Sequence, residues 1–158
     1  MPVLQFPLKE TVSIALQRLP HGMNLPLPGY GTPLSAGLDL YAAVEESLTL
    51  APREWQPVPT GIAIAIPQGY EGQIRPRSGL AAKYGITILN APGTIDADHR
   101  GELKGLLINH GEEPFIINRG MRFAQLVIAP VASIVWDEQA LLTQTERGHG
   151  GFGSTGIS

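Results

Sequence analysis

The chain has 158 residues, enough for one ordinary domain with its own core, and no cysteine, which excludes a disulfide framework, a thiolate zinc site and a cysteine nucleophile. Lys and Arg number 11 against 14 Asp and Glu, a net charge of -3, so no basic field exists to hold a nucleic-acid backbone and an anionic ligand must be caught locally. Only 16% of the residues are charged while 43% are hydrophobic, against about 25% charged in an average soluble domain, which implies surface hidden in an oligomer.

The opening residues MPVLQFPLKETVSIALQRLPHG lack a basic stretch followed by an apolar run, and no apolar run approaches the ~18 residues of a membrane span. The expectation is a soluble, unexported chain with no membrane partner, and the absence of cysteine suits a reducing, cytoplasmic location. The 19 glycines and 14 prolines punctuate short β-branched runs, an all-β rhythm. From Thr11 to Leu19, Val12, Ile14 and Leu16 alternate with Ser13, Ala15 and Gln17, which predicts a strand with one buried face. His21 to Gly37, rich in Pro and Gly, reads as a long surface loop.

Further strands are expected over Ser47 to Leu50, Gly61 to Ile66, Gly69 to Arg75, Ile86 to Leu89, Leu103 to Asn109, Pro114 to Ile117, Arg122 to Ile128 and Ser133 to Val135. In Gly61 to Ile66 both faces are apolar, with Ile62, Ile64 and Ile66 on one and Ala63 and Ala65 on the other. Such a strand is covered on both sides, a subunit interface being one source of cover. One short helix is expected, with Ser78 as N-cap, Gly79 to Lys83 as its turn, and Tyr84 and Gly85 closing it. About nine short strands at this spacing predict an all-β sandwich or jelly roll. The expected division is a single domain over residues 1–146 and a Gly-rich tail over 147–158.

Four segments could carry chemistry. Asp39, between Leu38 and Leu40 in SAGLDLYAA, is a carboxylate at an apolar position and needs a partner, functional or structural. Arg75, Arg77 and Ser78 stand at the mouth of the predicted helix, where N–H groups and the helix dipole favour an anion, or Ser78 merely caps the helix beside solvated arginines. NAPGTIDADHRGE reads as a hairpin projecting Asp96 and Asp98 on one side, where carboxylates polarise water, hold Mg2+ or simply form turns. The tail RGHGGFGSTGIS joins Arg147, five glycines, Phe152, Ser154 and Thr155, which suits a phosphate wrap or a disordered end. The four histidines, His21, His99, His110 and His149, show no tight metal spacing, so oxygen ligands and Mg2+ are the expectation.

In order, SAGLDLYAA, RPRSGLA, NAPGTIDADHRGE, RGMRFAQLV and RGHGGFGSTG resemble the five motifs of the trimeric dUTP diphosphatase family, and the resemblance covers nearly the whole chain after about Thr32. It implies a jelly-roll homotrimer in which each of three sites is assembled from all three chains and closed by a C-terminal tail. It also implies dUTP as substrate and Mg2+ across its phosphates, held through water by Asp39. Arg77, Ser78, Gly79 and Gln125 would contact phosphates, and Arg147, Ser154 and Thr155 would clamp the terminal one. Asp96 would activate the water that attacks the α-phosphorus in line, releasing dUMP and pyrophosphate. Asn90 and Thr94 on the hairpin would help to read uracil and its sugar, and Phe152 would stack on the ring.

Two positions depart from the family pattern. His99 stands where the family usually has a tyrosine beneath the deoxyribose, which bears on discrimination against UTP, and Met121 stands where many relatives carry an acid. Two rival readings follow from the same residues. One is deamination of dCTP, with Glu102 as the glutamate near the hairpin, and the other is a trimeric β-domain that binds nucleotide without consuming it.

Overall fold

The computed structural model describes residues 11–151. Among them the chain forms β1 (Ala15–Arg18), a 3-10 turn at Pro20–Gly22, β2 (Gly29–Tyr30), β3 (Leu38–Tyr41), β4 (Leu48–Leu50), β5 (Trp55–Ala65) and β6 (Tyr70–Pro76). There follow α1 (Ser78–Tyr84), β7 (Ile86–Ile88), β8 (Gly93–Ile95), β9 (Glu102–Asn109), β10 (Phe115–Ile117) and β11 (Arg122–Pro130). The strands pair antiparallel throughout, in a four-stranded sheet ordered β1-β5-β9-β7, a five-stranded sheet ordered β2-β3-β11-β6-β8 and a β10-β4 pair. This is the expected all-β, jelly-roll-like sandwich with one short helix.

Period-two patterning builds the core. On β11 and β6, Ala124, Leu126 and Ile74 face inward, joined by Leu40 of β3, and they meet Val58, Ile86, Leu103 and Leu107 from the four-stranded sheet. Phe123, Leu50 and Ile117 are fully buried with them. Asn109 is the one buried side-chain amide in this core, and all its hydrogen-bonding capacity is directed at backbone. Its Nδ2 donates to Leu50 O (2.9 Å) and Glu113 O (2.8 Å), and its Oδ1 accepts from Gly111 N (2.8 Å), so burial leaves nothing unsatisfied.

β5 is longer than its apolar run predicts, beginning six residues earlier at Trp55 and running through Pro57 and Pro59. Its register against β9 shifts between Pro59 and Ala63, where Gly61 adopts φ +67. A Cβ at Gly61 would overlap Gly22, so both positions require glycine for the close approach of two backbones. Ile62, Ala63, Ile64 and Ile66 are buried by this chain alone, so the cover expected from a subunit interface is already supplied within it.

Several other local expectations change. The first strand is only four residues long, with Val12 and Ile14 half-buried but Leu16 exposed at this sheet edge. Ser78 is the first helical residue and Arg77 the N-cap, while Gly85 closes the helix at φ 67 as expected. β2, β3 and β8 form within segments read as loop or motif, because each is too short to show a period. Ser133 to Val135 is not a strand; after β11, Val131 N bonds Gly69 O (2.9 Å) and the following residues of the described chain lie exposed without a pairing strand.

Candidate functional site

Five of the predicted residues, Asp39, Arg77, Ser78, Gly79 and Gln125, line one cavity of about 310 Å3 together with Gly31, Ser35, Ala36 and Gly37. Sheet register brings them together. Gln125 stands opposite Asp39 on β3 and opposite Arg75 on β6, and antiparallel partners share a face. Arg77 and Ser78 follow where β6 gives way to α1, and the first residues of α1, Ser78 and Gly79, whose N–H groups lack helical partners, line this cavity.

Asp39 is the electrostatic centre of this cavity. One carboxylate oxygen accepts from Arg77 Nε at 3.0 Å and the other from Arg122 Nη1 at 2.9 Å, with Asp39 17% exposed. Arg77 Nη1 also donates to the Arg122 carbonyl at 3.1 Å. Gln125 Nε2 donates to Pro76 O at 2.9 Å, and its side chain fills the space a Cβ on Gly37 would need. One carboxylate against two guanidinium groups leaves net positive charge, suited to an anion with several oxygens.

Asn90, Thr94 and His99 line a second cavity of about 230 Å3, walled by Ile74, Ile88 and Leu106 and floored by Gly93 and Gly105. β8 supplies this wall by pairing with β6, Thr94 opposite Gln73 and Gly93 opposite Ile74. Gly93 lies against Asn90, a Cβ there coming to ordinary contact distance, 3.4 Å, from Asn90 Nδ2. His99 lies over Gly101, where a Cβ would come 3.0 Å from its Cε1. Apolar walls with an amide and a hydroxyl suit a flat heterocycle with donors and acceptors at its rim.

Asp96 lies on the arm beside this second cavity, exposed, its carbonyl accepting from His99 N at 3.1 Å; it lines neither cavity within the chain. Arg100 holds the tip by donating to Ala97 O (2.7 Å) and His99 O (2.8 Å). Arg147 is exposed and bonds Gly150 O at 3.1 Å, away from both cavities. Phe152, Ser154 and Thr155 lie outside the described residues.

Glu102 lines the second cavity and a third one of about 580 Å3 beside His21. Its Oε1 accepts from Gly61 N (2.9 Å) and lies 2.6 Å from His21 Nε2, while Oε2 is 3.6 Å from Lys104 Nζ. A carboxylate so engaged braces the β5 bulge, which weighs against the deaminase reading that requires it as a free base.

Among the described residues no cluster of three or more His, Asp or Glu is spaced to hold a metal. Both Asp39 oxygens are paired with arginines, so Asp39 would meet a hard cation through water, with most direct oxygen donors coming from a bound ligand. Sequence reasoning missed Arg122. Strict alternation from Gln125 places it on the other face, but the register shift between Arg122 and Ala124 turns it to Asp39.

Comparison with known proteins adds an independent line. The family model described as dUTPase matches residues 23–156. The deoxyuridine 5'-triphosphate nucleotidohydrolase of Wolbachia sp. subsp. Brugia malayi (strain TRS) is 56% identical over 150 residues, covering 94% of this chain and 96% of the relative. That of Maricaulis maris (strain MCS10) is 55% identical over 149 residues, covering 93% and 98%. Among solved structures, Staphylococcus bacteriophage 80alpha dUTPase with dUpNHpp superposes with a TM-score of 0.83 at 27% identity, covering 93% of this chain and 100% of that one. The dUTPase from phage phi11 of S. aureus, in a structure describing a structural Mg(II) ion, shares the fold at 24% identity and TM-score 0.74, covering 84% of this chain and 100% of that one.

Proposed function

The chain belongs to the dUTPase family, and from that premise we propose that it hydrolyses dUTP to dUMP and pyrophosphate, limiting uracil available to DNA synthesis and supplying dUMP. The observation that carries this reading is the pairing of a cationic, oxygen-rich cavity around Asp39, Arg77 and Gln125 with a flat, apolar-walled one around Asn90 and Thr94. The first suits a triphosphate and the second a base.

In the proposed mechanism, Asp96 accepts a proton from a water as the water oxygen bonds to the α-phosphorus in line. The bond from that phosphorus to the α,β-bridging oxygen breaks, and pyrophosphate carries the electron pair away. Asp39 would hold Mg2+ through water, and the ion when bound would neutralise charge on the phosphates and the leaving group. Arg77, Ser78, Gly79 and Gln125 orient the phosphates. Asn90 and hairpin backbone groups match the N3–H donor and O4 acceptor of uracil, a pattern cytosine reverses, and His99 lies under the sugar. Arg147, Ser154 and Thr155 clamp the terminal phosphate and Phe152 stacks on the base, excluding water.

We propose further that the working unit is a homotrimer with shared sites. Supporting it, Asp96 lines neither the phosphate cavity nor the base cavity of its own chain, and the segment after β11 carries Val135 at 95%, Trp136 at 87%, Leu141 at 88% and Leu142 at 85% exposure. Apolar side chains in such a row need cover, which a second copy supplies. The division into a domain over 1–146 and a closing tail over 147–158 belongs to this proposal, as does a cytosolic location; among the described residues no helix is long and apolar enough to cross a membrane.

The test is an end-point assay of dUTP, dCTP, dTTP and UTP with Mg2+, with and without chelator, resolving nucleotide and phosphate products. Metal-dependent dUMP and pyrophosphate from dUTP is the expected result. Ammonia from dCTP, or tight binding of dUTP with no product, would overturn it.

A further inference from the structure

We infer that Arg122 is a positioning residue of the phosphate cavity, acting through Asp39 and Arg77 and not by touching the substrate. The inference rests on the phosphate-site reading of the Asp39 cavity. No role for Arg122 follows from its place in the sequence, because period-two alternation on β11 directs it away from Gln125.

The geometry gives Arg122 a grip on both members of the Asp39–Arg77 pair. Its side chain takes the Asp39 oxygen that Arg77 leaves, at 2.9 Å, and its main-chain carbonyl accepts from Arg77 Nη1 at 3.1 Å. Arg77 holds the other Asp39 oxygen through Nε at 3.0 Å. The planar guanidinium of Arg77 is therefore fixed at two of its five donors, leaving three N–H groups unclaimed among the described residues. Since Arg77 lines the cavity and Arg122 does not, the ordered fork is presented to the cavity by a residue standing outside it.

The alternative arrangement shows what Arg122 prevents. With Arg77 alone, a carboxylate and a guanidinium form a parallel two-bond pair, which turns the fork edge-on to Asp39 and neutralises it. With Arg122 on the second carboxylate oxygen and its carbonyl taking Arg77 Nη1, Arg77 meets Asp39 through Nε alone, and one positive charge stays in excess. The β-bulge between Arg122 and Ala124 is the structural means: it buries Phe123 and Ala124 together and swings Arg122 toward β3. Arg122 is half exposed, with its side chain at 51%, so its removal leaves the core untouched.

The experiment is a double-mutant cycle on binding of an imido analogue of dUTP in Mg2+, by calorimetry, using the full chain, R122A, R122K, D39N and D39N/R122A, each checked by thermal unfolding. The wild-type chain is expected to bind. R122A should weaken binding about tenfold, the scale of one charge-assisted hydrogen bond, and R122K, which restores a charge but not the fork, should recover part of it. In the D39N background the R122A loss should vanish. An equal loss in both backgrounds would mean that Arg122 meets the phosphates directly, and no loss in either would remove its role. Should R122A fail to fold, R122K against D39N/R122K decides by the same comparison. A wild-type chain that does not bind the analogue overturns the phosphate-site reading itself, an outcome distinct from normal wild-type binding with an unaffected R122A.

Discussion

Gln125 stands directly opposite Asp39 across the β3–β11 pair, although 85 positions lie between them, and both line the cationic cavity. The same register sets Arg75 on the far side of Gln125. Asn90, Thr94 and His99 lie on and beside β8 at the sheet's other edge, where β8 pairs with β6 alone among the described strands. One chain thus carries two half-sites, and the proposed chemistry needs both.

If the half-sites that work together come from different chains, two inactive variants will complement. R77A lacks the phosphate grip and D96N the water-activating carboxylate, and each alone should be nearly inactive. Co-refolded at equal ratio, they should regain activity, since some sites then draw each half from an intact chain. A mixture as inactive as its parents would place both halves in one chain.

D96N keeps the shape of the side chain and removes the charge proposed to accept the proton. Turnover should fall about 100-fold or more while the imido analogue binds as before. Single-turnover kinetics and calorimetry check the two halves of this statement, and near-normal turnover would remove Asp96 from the mechanism.

His99 packs over Gly101 at the wall of the second cavity. Replacing it with the tyrosine usual in the family extends the ring under the sugar, so H99Y should preserve or sharpen the preference for dUTP over UTP in kcat/KM. A loss of preference would show that the imidazole has its own part in discrimination.

Deleting residues 147–158 should leave a folded trimer with little activity, because β11 ends at Pro130 and, among the described residues, Arg147 bonds within its own turn. Light scattering and a nucleotide assay on the same preparation test this. An inactive monomer would make the tail part of the assembly.

Gly61→Ala combines a positive φ with overlap onto Gly22, and it disturbs the N–H that Glu102 accepts. We expect a loss of at least about 2 kcal/mol in denaturant unfolding. An unchanged midpoint would mean that the bulge relaxes freely.

Much of the fold was legible because strand patterning is local. Leu103 to Asn109 and Gly69 to Arg75 show their period in a few residues, and β9 and β6 lie within one residue of those limits. β3 was legible only as a motif, since four residues of Leu-Asp-Leu-Tyr hold too little pattern to declare a strand. Ser133 to Val135 failed for the opposite reason: its residues favour a strand, but a strand needs a partner, and the described chain offers none there.

By itself, then, the sequence determined the class of fold, the residue types available for phosphate and base, and the family to which the chain belongs. Tertiary structure alone decided which of those residues meet. Register is a long-range property, so the opposition of Gln125 to Asp39 follows from pairing between distant strands and from no local signal. The bulge that turns Arg122 onto Asp39, and the backbone contact that commits Glu102 to Gly61, are likewise set by pairing between distant strands within each sheet, where one extra residue in a strand reverses the face of everything beyond it.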